Sequence, residues 1–140
     1  MPISVLLSIK PRFADAIFLG HKCFEFRRAI FRNRDITNVL VYASSPVCRV
    51  IGEFTIETIL AMQPSRLWRA TSSGSGINRE YFDEYFEGRE IAYALKVRDA
   101  VRYEMPLGLT EYLGLSRPPQ SFCYIYGKEP RSRGRVSALA

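Results

Sequence analysis

The chain opens on a nearly continuous apolar run from Ile3 to Ile9, the pattern of a strand buried on both faces. Pro11 follows, well suited to the first turn of a helix, where its missing N–H is no loss. Phe13, Ile17 and Phe18 then recur at helical spacing, and Gly20 sits where that helix must end. From Cys23 the period changes to two. Phe24 and Phe26 point one way and Glu25 and Arg27 the other, which predicts a half-buried strand with a charged front. Residues 29–35 read as a basic loop, and Val39 to Ala43 as a second buried strand that stops at Ser44-Ser45-Pro46. Val47 to Met62 is long and rich in β-branched residues, with Gly52 marking a bulge or sharp bend.

Pro64 opens a short helix over Leu67 and Trp68, and the Ser/Gly stretch 71–76 is expected to be a flexible loop. Asn78 is placed to cap a helix over Arg79–Phe86, whose apolar side is Tyr81, Phe82, Tyr85 and Phe86. Glu90 to Glu104 predicts one long or bulged strand, 106–115 a loop with one helical turn, and Ser121 to Tyr126 a last strand. The inventory is α+β: about six strands with short peripheral helices, the strands long and bent enough for a small, strongly coiled mixed β-barrel. Residues 1–127 form a single domain in this reading, and 128–140 a flexible basic tail carrying Arg131, Arg133 and Arg135.

Composition narrows the function classes. The longest apolar runs fall well short of the roughly 20 residues needed for a membrane span, so no membrane partner is expected. Three scattered cysteines without CxxC spacing, and no leader-like N-terminus, predict reduced thiols and a cytoplasmic protein, with Cys23, Cys48 and Cys123 as small core residues. A single histidine, His21, argues against a zinc site; no metal and no cofactor are expected. The net charge is +6 and is unevenly spread. Residues 1–34 hold seven Lys/Arg against two Asp/Glu, residues 128–140 four against one, and the middle is near neutral. If the two ends meet in space they make one positive face, which attracts phosphate by counterion release. An RNA or nucleotide ligand is the expectation, with DNA an open alternative.

Ser8-Ile9-Lys10-Pro11, followed by Gly20-x-Lys22-x-x-Glu25-x-Arg27, resembles the signature of the ASCH domain family, part of the PUA-like superfamily of small mixed β-barrels. Tyr42-Ala43-Ser44-Ser45-Pro46 and Gly52-Glu53-Phe54 resemble that family's next two strands. Pro118-Pro119-Gln120-Ser121-Phe122 resembles the closing strand of a bacterial subgroup described as predicted transcriptional regulators. The resemblance spans residues 3–126. It implies a pseudo-barrel with a cleft beside the first helix and a role in RNA or nucleotide metabolism. One branch of the family hydrolyses the acyl amide of N4-acetylcytidine, and a ribonuclease activity is attributed to a relative.

The candidate site follows from these residues. Lys22, just past a helix end, can bind phosphate or, once desolvated, act as a base. Glu25 shares a strand face with Arg27 and can accept hydrogen bonds from a base edge, while Arg27 and Arg28 can fork onto phosphate. Lys10 stands at a helix N-terminus, where a cation opposes the dipole, a mild cost that points to binding. Ser44 and Ser45 at a strand end, Trp68 as a stacking platform and Arg79 after the Ser/Gly loop complete the set; Gln120 and Ser121 are placed to reach the same cleft. Two function classes stay open: an RNA- or modified-nucleotide-binding module, and a hydrolase (ribonuclease or N4-acetylcytidine amidohydrolase-like) with Lys22 and Glu25 as its catalytic pair. The amidohydrolases of the family carry threonine where this chain has Glu25, so the pair lacks an obvious nucleophile.

Overall fold

The computed structural model of the protein describes residues 2–131. Six strands form one mixed sheet: β1 (Ile3–Ile9), β2 (Phe24–Arg27), β3 (Asn38–Ala43), β4 (Arg49–Met62), β5 (Ala92–Leu107) and β6 (Phe122–Tyr126). Four short helices decorate it: α1 (Pro11–Phe18), α2 (Pro64–Thr71), α3 (Arg79–Tyr85) and α4 (Leu109–Leu113). The spatial order is β2-β5-β4-β3-β1-β6, with β1 and β3 parallel and every other pairing antiparallel. This is the expected α+β architecture of six strands and short helices, but the sheet is not closed. β2 and β6 are its two edges, and side chains rather than a ladder join them, as described below.

The long strands β4 and β5 coil the sheet. Their ladder shifts register three times, between Val50 and Gly52, Glu53 and Thr55, and Ile56 and Thr58, and each bulge adds local twist. Gly52 serves a second purpose: a Cβ there would lie 2.5 Å from the ring of Phe18 and 2.6 Å from the Val101 carbonyl. The last turn of α1 therefore packs directly onto the bend of β4. Inside the coil, Ala14 and Ile17 of α1 meet Val5, Leu7, Val41 and Phe54 in the main core. Loop 28–37 covers the open side of the coil and is pinned by Phe31 and Ile36, both buried.

A smaller cluster holds α2 and α3 to the far ends of β2, β4 and β5, around Phe26, Leu67, Phe82 and Phe86. Asn78 caps α3, its side chain accepting the Tyr81 N–H at 2.8 Å. Two sequence expectations change here. The stretch 71–76 is packed: Thr71 and Ser75 are buried, Ser72–Gly74 is a 3-10 turn, and the Ser75 hydroxyl meets the carbonyls of Ser72 and Ile77. Its small residues serve close approach rather than looseness. Of the cysteines, Cys23 and Cys48 are exposed and not core residues, whereas Cys123 on β6 is half-buried against the cluster around Leu6, Leu40 and Tyr103. Cys48 lies just before β4 at a positive φ of 54°, and Cys23 just ahead of β2.

Among the described residues no helix is long and apolar enough to cross a membrane. Of the basic segment from 128 onward, Lys128 and Arg131 lie over the ring of Tyr112, and residues 132–140, with Arg133 and Arg135, fall outside the described residues.

Candidate functional site

The site begins where α1 ends. Gly20, at φ +81°, reverses the chain, and the N–H groups of His21 and Lys22 both return to the carbonyl of Ala16. That hairpin tucks Lys22 inward while His21 stays exposed. The lysine is almost wholly buried, 3% exposed, with its ammonium 4.6 Å above the ring of Phe26 and 5.5 Å from that of Phe13. It donates one hydrogen bond, 3.0 Å, to the carbonyl of Ser75. Gly76 makes this fit possible: its φ is +69°, and a Cβ would stand 2.7 Å from the Cβ of Lys22. Burial pulls the Lys22 amine below its ordinary pKa of 10.5, with the Glu25 charge opposing the shift. Aromatic faces and a lone carbonyl replace the water that would otherwise hold the ammonium charged.

β2 then places Glu25 and Arg27 on one face, and both are buried, so this strand is enclosed on its charged side as well as its apolar one. The half-buried strand read from alternation is buried on both faces because the sheet curls back on itself here. Arg27 is the clasp of that curl. Nη1 binds Glu25 Oε2 at 3.1 Å and the Ser8 carbonyl at 3.4 Å, while Nη2 binds the carbonyl and hydroxyl of Ser121 at 3.0 and 2.8 Å. One guanidinium thus ties edge strand β2 to β1 and to the entry of edge strand β6. The planar five-donor fork suits this task as a lysine would not.

Above the clasp opens a cavity of about 380 Å³, floored by Glu25, Phe26 and Arg27 and walled by Lys22, Gln120 and Ser121. α3 contributes Tyr81 and Tyr85, four residues apart and therefore on one helix face, their rings nearly parallel with centroids 6.4 Å apart. Cations line the rim. Lys10 reaches the Tyr81 hydroxyl at 3.5 Å, Arg28 lies 4.5 Å over the ring of Tyr85, and Arg12 stacks on Phe13 and Tyr81. The Tyr85 hydroxyl donates to the Phe26 carbonyl at 3.2 Å, and burial raises its pKa, so it keeps its proton. A cavity with a desolvated amine, a clamped carboxylate, two stacked phenols and rim cations offers stacking, phosphate attraction and proton transfer in one place.

Of the residues singled out in sequence, Lys10, Lys22, Glu25, Arg27 and Arg28 converge on this cavity, and Gln120 and Ser121 join them. Ser44, Ser45, Trp68 and Arg79 do not line it. Ser44 and Ser45 turn the chain between β3 and β4 through a cis Ser45–Pro46 bond. Trp68 packs on Phe82 at 5.1 Å in the α2–α3 cluster. Arg79 is exposed, paired with Asp83 one turn along and lying over Trp68. Sequence reasoning also missed lining residues, chiefly Phe13, Tyr81 and Tyr85. The signal lay in α3, where the aromatic side splits: Phe82 and Phe86 turn to the core, and the two hydroxyl-bearing rings turn to the cavity. Among the described residues no group of three or more His, Cys, Asp or Glu side chains is arranged to hold a metal ion.

No family model matches the chain. It is 32% identical over 123 residues to the large ribosomal subunit protein uL22 of Ureaplasma parvum serovar 3, a match covering 87% of this chain and 39% of that protein. The chain thus spans about two fifths of the length of the first curated relatives it matches. It is also 32% identical over 127 residues to the ASCH domain-containing ribonuclease of Zymomonas mobilis, and there the match covers 89% of this chain and 85% of the relative. The chain belongs to the ASCH domain family. The crystal structure of ASCH from Zymomonas mobilis superposes on this ASCH domain with a TM-score of 0.80 at 29% identity, covering 97% of this chain and 94% of that one. The N-terminal domain of Staphylothermus marinus McrB shares the fold, with a TM-score of 0.54 at 11% identity over 98% of this chain and 94% of that one.

Proposed function

We propose that this ASCH domain binds RNA in the cavity between β2 and β6 and cleaves it through the RNA's own 2′-hydroxyl. The observation that carries the reading is Lys22: a buried amine with its pKa lowered, facing a cavity with a cationic rim. The ribonuclease named among its relatives supports the same class of reaction. RNA cleavage of this kind needs no nucleophile from the protein, which answers the difficulty that Lys22 and Glu25 have none. The neutral Lys22 amine takes the 2′-hydroxyl proton, the 2′-oxygen attacks the adjacent phosphorus, and the 5′-oxygen leaves, taking a proton from water admitted at the rim. Lys10 and Arg28 hold the phosphate charge. Tyr81 and Tyr85 offer faces on which an unstacked base can lie, the mode by which single strands are read. Glu25, clamped by Arg27, accepts a base-edge N–H and keeps Lys22 from losing its basicity altogether.

The amidohydrolase alternative is weaker, because the pocket hydroxyls of Ser8 and Ser121 are already engaged, with the Pro119 carbonyl and with Arg27. Binding without turnover is the second reading, favoured by the Glu25–Arg27 clamp, which commits one Glu25 carboxylate oxygen to holding the strand edges together. The test is incubation with end-labelled single-stranded RNA and its 2′-O-methyl counterpart. Cleavage of the first alone, leaving 2′,3′-cyclic phosphate ends, is the expected result. Equal cutting of both RNAs, or none at high protein concentration, would overturn the cleavage reading.

A further inference from the structure

We infer that the RNA-binding surface continues from the cavity to a second, base-stacking subsite at the opposite end of β1, built from Tyr126, Tyr124 and Arg32, so that the ligand is a strand of several nucleotides and not a mononucleotide. The inference rests on the cavity reading above. Its basis is a shallow depression of about 430 Å³ bounded by Ile3, Arg32, Asn33, Tyr124 and Tyr126. Tyr126 ends edge strand β6 with 60% of its surface exposed, and its ring is 6.5 Å from that of Tyr124. Beyond this contact with Tyr124, the exposed Tyr126 ring offers a stacking platform for an unpaired base.

The two depressions share the same two walls. Loop 28–37 supplies Arg28 and Ala29 to the cavity, then Arg32 and Asn33 to the depression. The chain leading through β6 supplies Gln120 and Ser121 to the first, then Tyr124 and Tyr126 to the second. Ser121 and Tyr126 are five residues apart along an extended chain, on the order of 17 Å. The walls are fixed to each other, for the Tyr124 hydroxyl accepts the N–H groups of Arg32 and Asn33 at 3.1 and 3.2 Å. Phe31 and Ile36 anchor the loop in the core, leaving Arg28, Arg32 and Arg34 exposed, with Asp35 its one carboxylate. Arg28 at the cavity and Arg32 at the depression, each beside tyrosine rings, complement a polyanion carrying bases more than an apolar protein face.

The test measures binding of fluorescently labelled 2′-fluoro RNAs of two and eight nucleotides, which lack the internal nucleophile. Tyr126→Ala and Arg32→Ala should each weaken octamer binding about tenfold while changing dinucleotide binding by less than about twofold. Arg32→Ala should also lower the salt slope for the octamer by about one. Lys22→Met should weaken both RNAs. If octamer affinity is untouched by both subsite variants while Lys22→Met weakens both RNAs, the subsite fails and the cavity reading stands. If Lys22→Met changes neither, the cavity reading fails and takes the subsite with it. A dimer that Tyr126→Ala dissolves, with octamer affinity unchanged, would assign the tyrosines to self-association and overturn the proposal.

Discussion

Glu25 and Glu53 are both buried carboxylates on strands of one sheet, yet their surroundings differ in kind. Glu25 is clamped by Arg27 at 3.1 Å and floors the cavity that Lys22 walls. Glu53 has no exposed surface; its Oε1 accepts the Tyr103 hydroxyl at 2.6 Å and the Arg131 N–H at 3.1 Å, and its Oε2 has no hydrogen-bond partner among the described residues. Burial of an acid is common to both, so burial alone does not mark a binding site. What separates them is open volume: Glu25 floors a space that a ligand can enter, whereas Glu53 lines no such space and is held by Tyr103 and the Arg131 backbone, with the Arg131 guanidinium lying over the Tyr103 ring. The same distinction separates Lys22, buried over the ring of Phe26, from the exposed Lys10 at the cavity rim.

Breaking the clamps should give the largest effects. Arg27→Met leaves Glu25 buried without its cation and unties β2 from Ser8 and Ser121, so the expected loss of stability is about 3–5 kcal/mol in urea unfolding. Glu53→Leu leaves the Tyr103 hydroxyl orphaned and should cost less, about 1–3 kcal/mol, with RNA affinity unchanged. A loss of RNA binding in a folded Glu53→Leu protein would erase the distinction drawn between the two acids.

A pair of glycines sharpens it at smaller scale. Gly20 and Gly76 both have positive φ, but a Cβ at Gly20 meets nothing within 4 Å, while at Gly76 it meets Lys22. Gly20→Ala should cost about 1–2 kcal/mol for the left-handed backbone. Gly76→Ala should cost more and also weaken RNA binding, because Lys22 must move. Equal effects on RNA binding would remove the strap 72–76 from the account.

Alkaline titration gives the smallest and most diagnostic effect. Lys22 loses its proton more readily folded than unfolded, so between its lowered pKa and 10.5 the unfolded chain binds more protons, and this group makes stability rise with pH. Tyr103 is the reverse. Burial and the Glu53 contact raise its pKa above 10.0, so its contribution is intact below pH 10 and is lost as pH climbs above it. Relative to wild type, Lys22→Met should therefore flatten the rise below pH 10.5, and Tyr103→Phe the fall above pH 10, as read from denaturation midpoints across that range.

Much of this was legible in the chain. The change of period at Cys23 placed Glu25 and Arg27 on a common face, Pro11 and Gly20 bounded α1, and Gly52 marked the bend on which Phe18 packs. These are local signals, and local geometry determines them. The curl that brings Ser121 against Arg27 is a long-range event, and so is the use of Ser75 and Gly76 as a strap over Lys22; in sequence Ser121 reads as the start of a strand with no partner for Arg27 in view, and 71–76 as a loop. The serines at 44 and 45, Trp68 and Arg79 drew attention because their chemistry suits ligands, but a residue type says nothing of which way the sheet will turn it. The tyrosines of α3 show the converse. Their spacing identified an apolar face, and only the packing of Phe82 and Phe86 beneath it leaves Tyr81 and Tyr85 to line the cavity.

The central claim is that the desolvated Lys22 acts on RNA in the cavity between the two edge strands, and the pH dependence of RNA cleavage tests it most directly. Wild-type protein should cleave single-stranded RNA at a rate that rises with pH through an apparent pKa below 10.5. In a folded Lys22→Met protein that limb should vanish and the rate should fall by at least about 100-fold. A Lys22→Met protein that cleaves at the wild-type rate, with the same pH profile, would contradict the account.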